Sequence, residues 1–393
     1  MLRSCSDYSV ISWCSWNSWG KPVAAFICRF ASHITAVAFV ALLGAKNTTS
    51  LIDSIGPLLT ELKPSATFIL VDTNTATHCL PVLRAALPVL AKAAVITIPA
   101  GEADKSVTSA QRVWQALIDA RADRQAVLLN LGGGVVTDLG GFAAGCYKRG
   151  IRFINVPTTV LGQVDAALGG KTGVDFGGVK NVVGLFANAE AVVSDPVFLK
   201  TLPPREVRSG MAEMYKHALI HSPEHWLELQ RTGGDLLAQA NVAELIAKSQ
   251  QIKSDIVAQD PHERGLREAL NFGHSIGHAI ESILLTSTVP ALHGEAIAAG
   301  MICEAYLSQH LTGLAQAEVE DIESTLLQVY GKLPLRAHHL ATLLALVAND
   351  KKNKHGTLRM SLLRRIGEPR LNVAVDASEV EQAVLRYLEL DRP

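Results

Sequence analysis

The chain has 393 residues, 48% of them apolar, with 36 Lys and Arg against 37 Asp and Glu. That balance excludes a charge field suited to nucleic acid, and apolar content spread along the whole chain excludes long disordered tracts. The length suffices for two domains, while six scattered cysteines with no CxxC spacing exclude a disulfide scaffold and point to a reduced, cytoplasmic protein.

Residues 1–45 stand apart, with Trp13, Trp16 and Trp19, many serines, Arg3, Lys21 and Arg29, and a single acidic residue, Asp7. The apolar run from Ile34 to Leu43 is too short to span a bilayer, so no membrane partner is expected. Two readings stay open: a basic, serine-rich transit peptide, or a poorly ordered extension from an upstream start. Neither bears on the chemistry.

From residue 66 the pattern becomes regular. Thr67–Val71, Ala93–Ile98, Ala126–Leu131 and Phe153–Val156 are short apolar runs of the kind that form buried parallel strands. Between the second and third, Val107, Val113, Leu117 and Ile118 recur at helical spacing. Strands alternating with helices predict an α/β domain with a mainly parallel sheet. Beyond about residue 185 the segments 205–220, 242–259, 266–285 and 295–311 read as helices, and only Leu358–Leu363 reads as a strand. The expected division is an extension at 1–45, an α/β domain at 46–195 and a helical domain at 196–393.

Gly132-Gly-Gly134 stands between a predicted strand and a helix starting near Val135, with Asp138 one turn on. Glycine there admits a phosphate to the backbone and to the N–H groups of a helix start, although the spacing is not GxGxxG and a plain tight turn also fits. Gly169-Gly-Lys171-Thr172 is half of a phosphate-binding loop, and Asp165 stands where the other half needs glycine, which argues against an NTPase. Lys171 and Lys180-Asn181 still give a glycine-rich loop two cationic positions suited to an anionic small molecule, or to a flexible surface loop.

In Asn271-Phe-Gly-His274-Ser-Ile-Gly-His278 the two histidines share one helix face, so spacing alone offers that pair as metal ligands. Ala212-Glu213-Met-Tyr-Lys216 sets a carboxylate and a lysine one turn apart, and His293-Gly-Glu295 opens a further helix. Two imidazoles and a carboxylate would leave a zinc ion an open position. Lys351-Lys352 reads as a solvated charge run or as an anion contact.

Taken in order, Gly132–Asp138, Val156–Thr159, Gln163–Asp165, Gly169–Thr172, Lys180-Asn181, Ala212–Lys216, Gly265–Arg267, Leu270–His274 and Leu292–Glu295 closely resemble the 3-dehydroquinate synthase family. The resemblance covers about residues 66–365. It implies an N-terminal NAD-binding domain and a C-terminal helical domain in which Glu213, His274 and His293 ligate zinc, or cobalt, with His278 reassigned to the substrate. NAD contacts carry over onto Asp72, Asn74, Glu102, Lys105, Gly134 and Asp138, and onto Thr158, Thr159, Lys180, Phe198, Thr201 and Glu206. Substrate contacts carry over onto Asp165, Lys171, Asn181 and Lys216, and onto Lys253, Arg267, Asn271 and His278. The Lys351-Lys352 pair is included without a choice between its members. Arg149 matches a residue that reaches the phosphate of a neighbouring subunit, which implies a homodimer.

The implied reaction cyclises 3-deoxy-D-arabino-heptulosonate 7-phosphate by transient oxidation, phosphate elimination, re-reduction and aldol closure. Two departures stand out: Asp175-Phe-Gly-Gly178 replaces the family's usual Asn-His-Pro-type loop, and Ala166-Ala167 stands where serines are common. The rivals are another sugar-phosphate cyclase, such as 2-deoxy-scyllo-inosose synthase, and a glycerol dehydrogenase-like oxidoreductase. Lys253, Arg267 and Asn271 favour a carboxylated substrate over the first, while the second would release NADH and need no phosphate-binding lysine cluster.

Overall fold

The computed structural model describes residues 51–285, 287–348 and 358–390, together with the backbone of three strands at 10–16, 22–28 and 36–39. Lys351 and Lys352 lie outside the described residues. The chain divides into two compact units, residues 1–202 and 203–393. Among the described residues no helix is long and apolar enough to cross a membrane.

The first unit is built on an eight-stranded sheet. Its strands are β1 (Val10–Trp16), β2 (Pro22–Cys28), β3 (Ala36–Phe39), β4 (Thr67–Asp72), β5 (Ala94–Ile98), β6 (Val127–Gly132), β7 (Arg152–Pro157) and, after a separate hairpin, β10 (Ala191–Val192). The order is β1-β2-β3-β10-β7-β6-β4-β5, parallel from β3 to β5 and antiparallel over β1-β2-β3. The three strands β1, β2 and β3 thus extend one edge of this sheet.

β4, β6 and β7 are largely apolar because both their faces are covered. Phe68 and Leu70 of β4 point into one core with Val113 and Leu117 of α4 (Val107–Asp119) and Leu139 of α5 (Gly134–Cys146). Ile69 and Val71 enter the opposite core with Ile55 and Leu59 of α1 (Ile55–Leu62) and Leu83 of α3 (Leu80–Ala86). Between β4 and α3 the short α2 (Thr73–His78) starts at Asp72, whose Oδ1 accepts from Thr75 N at 2.7 Å.

The glycine-rich segment after residue 169 is a hairpin, not a loop. β8 (Lys171–Phe176) and β9 (Val179–Phe186) pair antiparallel, with Phe176 opposite Val179. Gly177 and Gly178 form the two-residue turn with φ of 60° and 78°, the doubly left-handed geometry that suits the strand twist.

The second unit is mainly helical: α6 (Pro204–His221), α7 (Pro223–Gln230), α8 (Val242–Gln259), α9 (His274–Leu284), α10 (His293–Thr312), α11 (Gln316–Tyr330), α12 (Leu340–Ala348) and α13 (Ala377–Glu389). A hairpin of β11 (Leu358–Arg365) and β12 (Glu368–Val375) adds to them. β12 escapes a reading by pattern because Pro369, Arg370 and Asn372 break its apolar run.

The expected single helix over 266–285 is two elements. A 3-10 turn covers Leu266–Asn271, and α9 begins at His274 after Gly273, whose φ is 80°. The break is held by Glu304 of α10, fully buried, which accepts from Gly273 N at 2.6 Å and Ile276 N at 3.1 Å. It therefore satisfies the first free N–H groups of α9 from a neighbouring helix.

α9 and α10 approach so closely that a Cβ at Gly300 would lie 2.0 Å from Gly273 O and 2.6 Å from Gly277 N. Both are backbone atoms with no room to yield. Gly300→Ala is accordingly expected to destabilise the protein by about 3 kcal/mol or more, read as a lower urea midpoint with an unchanged slope.

Candidate active site and metal centre

Three helices of the second unit bring the expected metal-ligand residues together. Glu213 and Lys216 lie one turn apart on α6, and both are buried. His274 is the first residue of α9, with His278 one turn on, and His293 is the first residue of α10.

The start of α10 is pinned against α6. Arg205 grips Glu295 with Nε to Oε1 at 2.6 Å and Nη2 to Oε2 at 2.7 Å, while Leu292 N donates to Glu295 Oε2 at 2.8 Å. Gly294 N donates to Ser209 Oγ at 3.1 Å, and a Cβ on Gly294 would fall 1.8 Å from Ser209 O. Only glycine lets α10 start this close to α6, which is what carries His293 to Glu213.

Glu213 Oε1 is 3.4 Å from the Nε2 atoms of both His274 and His293. Lys216 Nζ contacts its Oε2. Despite this company, neither oxygen receives a hydrogen bond of regular geometry. The separations suit a metal: two donors each about 2.1 Å from one tetrahedral centre lie about 3.4 Å apart. His278 joins the cluster, its ring centroid 5.1 Å from that of His274 and 5.8 Å from that of His293. His274, His278 and His293 each offer a nitrogen within 4.8 Å of the others, so distance alone does not separate His278 from the ligands.

The carboxylates and the Lys216 ammonium set the charge balance of this cluster. Burial alone would raise the Glu213 carboxyl, but Lys216, His274 and His293 outweigh it and hold the group well below the usual carboxylate range. Burial would lower His293, but the Glu213 and Glu281 carboxylates beside it outweigh that and push it up to about 10. His274, facing burial and the Lys216 ammonium, is pushed down. A divalent ion would take over the proton's place between Glu213 and His293. Carboxylate, imidazole and imidazole form a donor set that fits zinc or cobalt.

In the same unit, Lys253 on α8 and Arg267 on the 3-10 turn are buried. Asp260 shapes the loop ahead of Arg267, its Oδ2 accepting from the N–H groups of Gly265 at 2.8 Å and Arg267 at 3.0 Å. Arg267 Nη1 donates to Pro261 O at 2.8 Å. Asn271 Nδ2 donates to Glu263 Oε1 at 3.0 Å, and Glu263 itself sits at φ 55°. Sequence reasoning missed Glu263. A carboxylate four residues before Arg267 fits no spacing rule, and only its left-handed backbone and its bond to Asn271 single it out.

The first unit gathers the other predicted residues. Gly134 opens α5 behind Gly133, where no side chain caps the helix. A Cβ at Gly133 would meet Thr159 Cγ2 at 3.0 Å, and one at Gly134 would meet Ala166 Cβ at 3.2 Å. Uncapped N–H groups beside glycines suit the pyrophosphate of a dinucleotide. Thr158 N donates to Gly132 O at 3.0 Å, and Thr159 Oγ1 accepts from Gly162 N at 2.9 Å.

Lys105, nearly fully buried, donates to Asp138 Oδ2 and to Asn181 Oδ1, each at 2.6 Å. Asp175 Oδ1 in turn accepts from Asn181 N at 2.7 Å. Helix α5 and the β8–β9 hairpin are thereby joined through one ammonium. Lys180 Nζ lies 3.7 Å from Glu102 Oε1. Lys171, Asn181, Asn74 and Arg149 are exposed, Asp72 and Asp165 half-buried, and Phe198 buried, with Thr201 exposed on the same 3-10 turn. Glu206 opens α6 of the second unit, its carboxyl raised by burial against the pull of Arg205.

Residues 95–209 match the N-terminal and residues 210–353 the C-terminal domain family of 3-dehydroquinate synthase. A 3-dehydroquinate synthase of Parabacteroides distasonis is 40% identical over 331 residues, 84% of this chain and 94% of that protein. One from Xylella fastidiosa is 44% identical over 297 residues, 73% of this chain and 80% of that one. Among solved structures, a 2-epi-5-epi-valiolone synthase from Streptomyces hygroscopicus with NAD+ and Zn2+ bound superposes with a TM-score of 0.77 at 29% identity. That match covers 89% of this chain and 99% of that one.

Proposed function

The chain belongs to the 3-dehydroquinate synthase family, and on that premise we propose that Glu213, His274 and His293 hold its divalent metal while His278 serves the substrate. Its function is the conversion of 3-deoxy-D-arabino-heptulosonate 7-phosphate to 3-dehydroquinate and phosphate in the shikimate pathway, with NAD and Zn2+ or Co2+ as cofactors. The observation that carries the reading is the buried Glu213 carboxylate, reached by two imidazoles at tetrahedral-ligand separation.

When bound, NAD supplies a reversible hydride acceptor and the metal a Lewis acid for the substrate oxygens. The protein's own part is recognition and charge. Arg267 offers a guanidinium, already oriented by Pro261 O, to the substrate carboxylate, and Asn271 adds a donor one turn later. Lys216 and Lys253 are ammonium groups held out of water, where they act strongly on phosphate charge. On the first unit, Gly134, Asp138, Thr158, Thr159 and Lys105 are assigned to NAD, with Asp72, Asn74, Glu102, Lys180, Phe198 and Thr201, and Glu206 from the second unit. Asp165, Lys171 and Asn181 are assigned to the substrate, as are Lys351 or Lys352. The resulting enzyme is a phosphate-eliminating carbon–oxygen lyase.

A homodimer completes the proposal. It draws support from the exposed Arg149 and from exposed apolar side chains on both faces of the β8–β9 hairpin, Phe176, Val179 and Val183 on one and Val182 and Phe186 on the other. A cytoplasmic location accords with Cys79, Cys146 and Cys303 all being free thiols.

The function is tested by giving the purified protein zinc, NAD and the heptulosonate phosphate. Phosphate release is followed together with reduced-nicotinamide absorbance. Stoichiometric phosphate without accumulating NADH is expected. Net NADH would indicate a dehydrogenase, and an absence of turnover would refute the cyclase reading.

A further inference from the structure

We propose that Glu281 is a positioning residue for His293, fixing the ring so that Nε2 faces the metal; this rests on the ligand set proposed above. Glu281 lies on α9, the helix that also carries His274 and His278, and is nearly fully buried. A carboxylate removed from water is costly unless it is hydrogen-bonded, and its Oε2 lies 3.2 Å from His293 Nδ1. No assignment to cofactor or substrate uses it.

The arrangement around the second histidine is parallel. His274 Nδ1 lies 3.2 Å from Phe272 O. With Nδ1 as the donor in both rings, each Nε2 keeps its lone pair, and both Nε2 atoms stand 3.4 Å from the same Glu213 oxygen. One ring is therefore oriented by a backbone carbonyl, fixed by the turn at Gly273, and the other by a side chain on a different helix. His293 is the half-exposed member of the pair, and its helix start supplies no comparable carbonyl contact among the described residues. A carboxylate partner does two things a carbonyl does not: it locks the tautomer and, being anionic, strengthens the imidazole as a donor.

The test is metal affinity, not turnover. Full-length protein is stripped with a chelator, and zinc is titrated back in competition with a chromophoric chelator. Glu281→Gln keeps the volume and removes the charge, so zinc binding is expected to weaken about tenfold; Glu281→Ala removes the acceptor as well and should weaken it up to about 100-fold. In the cobalt-loaded variants the visible absorption bands should shift, which a loss of general stability would not produce. If Glu281→Ala does not fold, Glu281→Gln decides alone. Zinc affinity within twofold of the unaltered protein in Glu281→Gln overturns the proposal. His293→Ala is the control: retained zinc there means the ligand set is wrong, whereas zinc lost there and kept in Glu281→Gln means only Glu281 is misassigned.

Discussion

Glu213→Gln should abolish tight metal binding and lower turnover by at least about 10³-fold, because the metal stabilises developing charge by several kcal/mol. The substitution preserves shape and changes charge. It removes the one anion that both His274 and His293 approach, and it leaves the buried Lys216 ammonium without its counterion. In the unaltered protein His293 is pushed up to about 10, the nearby Glu213 and Glu281 carboxylates outweighing the opposing effect of burial. With glutamine at 213 only the Glu281 carboxylate remains beside His293, and a dication loses its one anionic ligand. Metal content by atomic emission and phosphate release at saturating substrate measure the two effects. A Glu213→Gln protein that retained zinc would place the metal elsewhere.

Arg267→Ala is the second large effect, and it should separate substrate from metal. Truncating one partner of a buried, hydrogen-bonded charge pair costs about 2–5 kcal/mol, so kcat/KM is expected to fall roughly 10²- to 10³-fold. Zinc content should stay within about twofold, since the Arg267 guanidinium is held by Pro261 O, while its bond to the Asp260 carboxylate comes from the backbone N–H that alanine keeps. Lysine in its place should recover little, because it lacks the planar fork that matches a carboxylate. Equal loss of zinc and of kcat/KM would mean that Arg267 supports the metal centre.

Much of the fold was legible because its strands obey one rule. β4, β6 and β7 are covered on both faces, so a short continuous apolar run marks each one without ambiguity. The β8–β9 hairpin was not legible, since β9 lies almost wholly exposed and glycine obscures any alternation. The break at Phe272-Gly273 was hidden for another reason. Helical apolar spacing continues across it, and the carboxylate that caps the new start is Glu304, 31 residues away.

The same distinction governs the site. Glu213, Lys216, His274, His278 and His293 sit in short motifs whose spacing already implies shared faces. Glu263 and Glu281 act across helices or loops, through Asn271 and His293, and no local pattern marks them. Gly294 is intermediate: it is visible in His293-Gly-Glu295, but its close approach to Ser209 emerges only in three dimensions.

The histidine pair at spacing i, i+4 first suggests His274 and His278 as the metal ligands, and the ring nitrogens of His274, His278 and His293 do cluster within 4.8 Å. The reading advanced here gives the metal to Glu213, His274 and His293. Zinc per protomer in His278→Ala against His293→Ala tests this most directly. Near-stoichiometric zinc in His278→Ala and little in His293→Ala is the predicted result; the reverse pattern would contradict it.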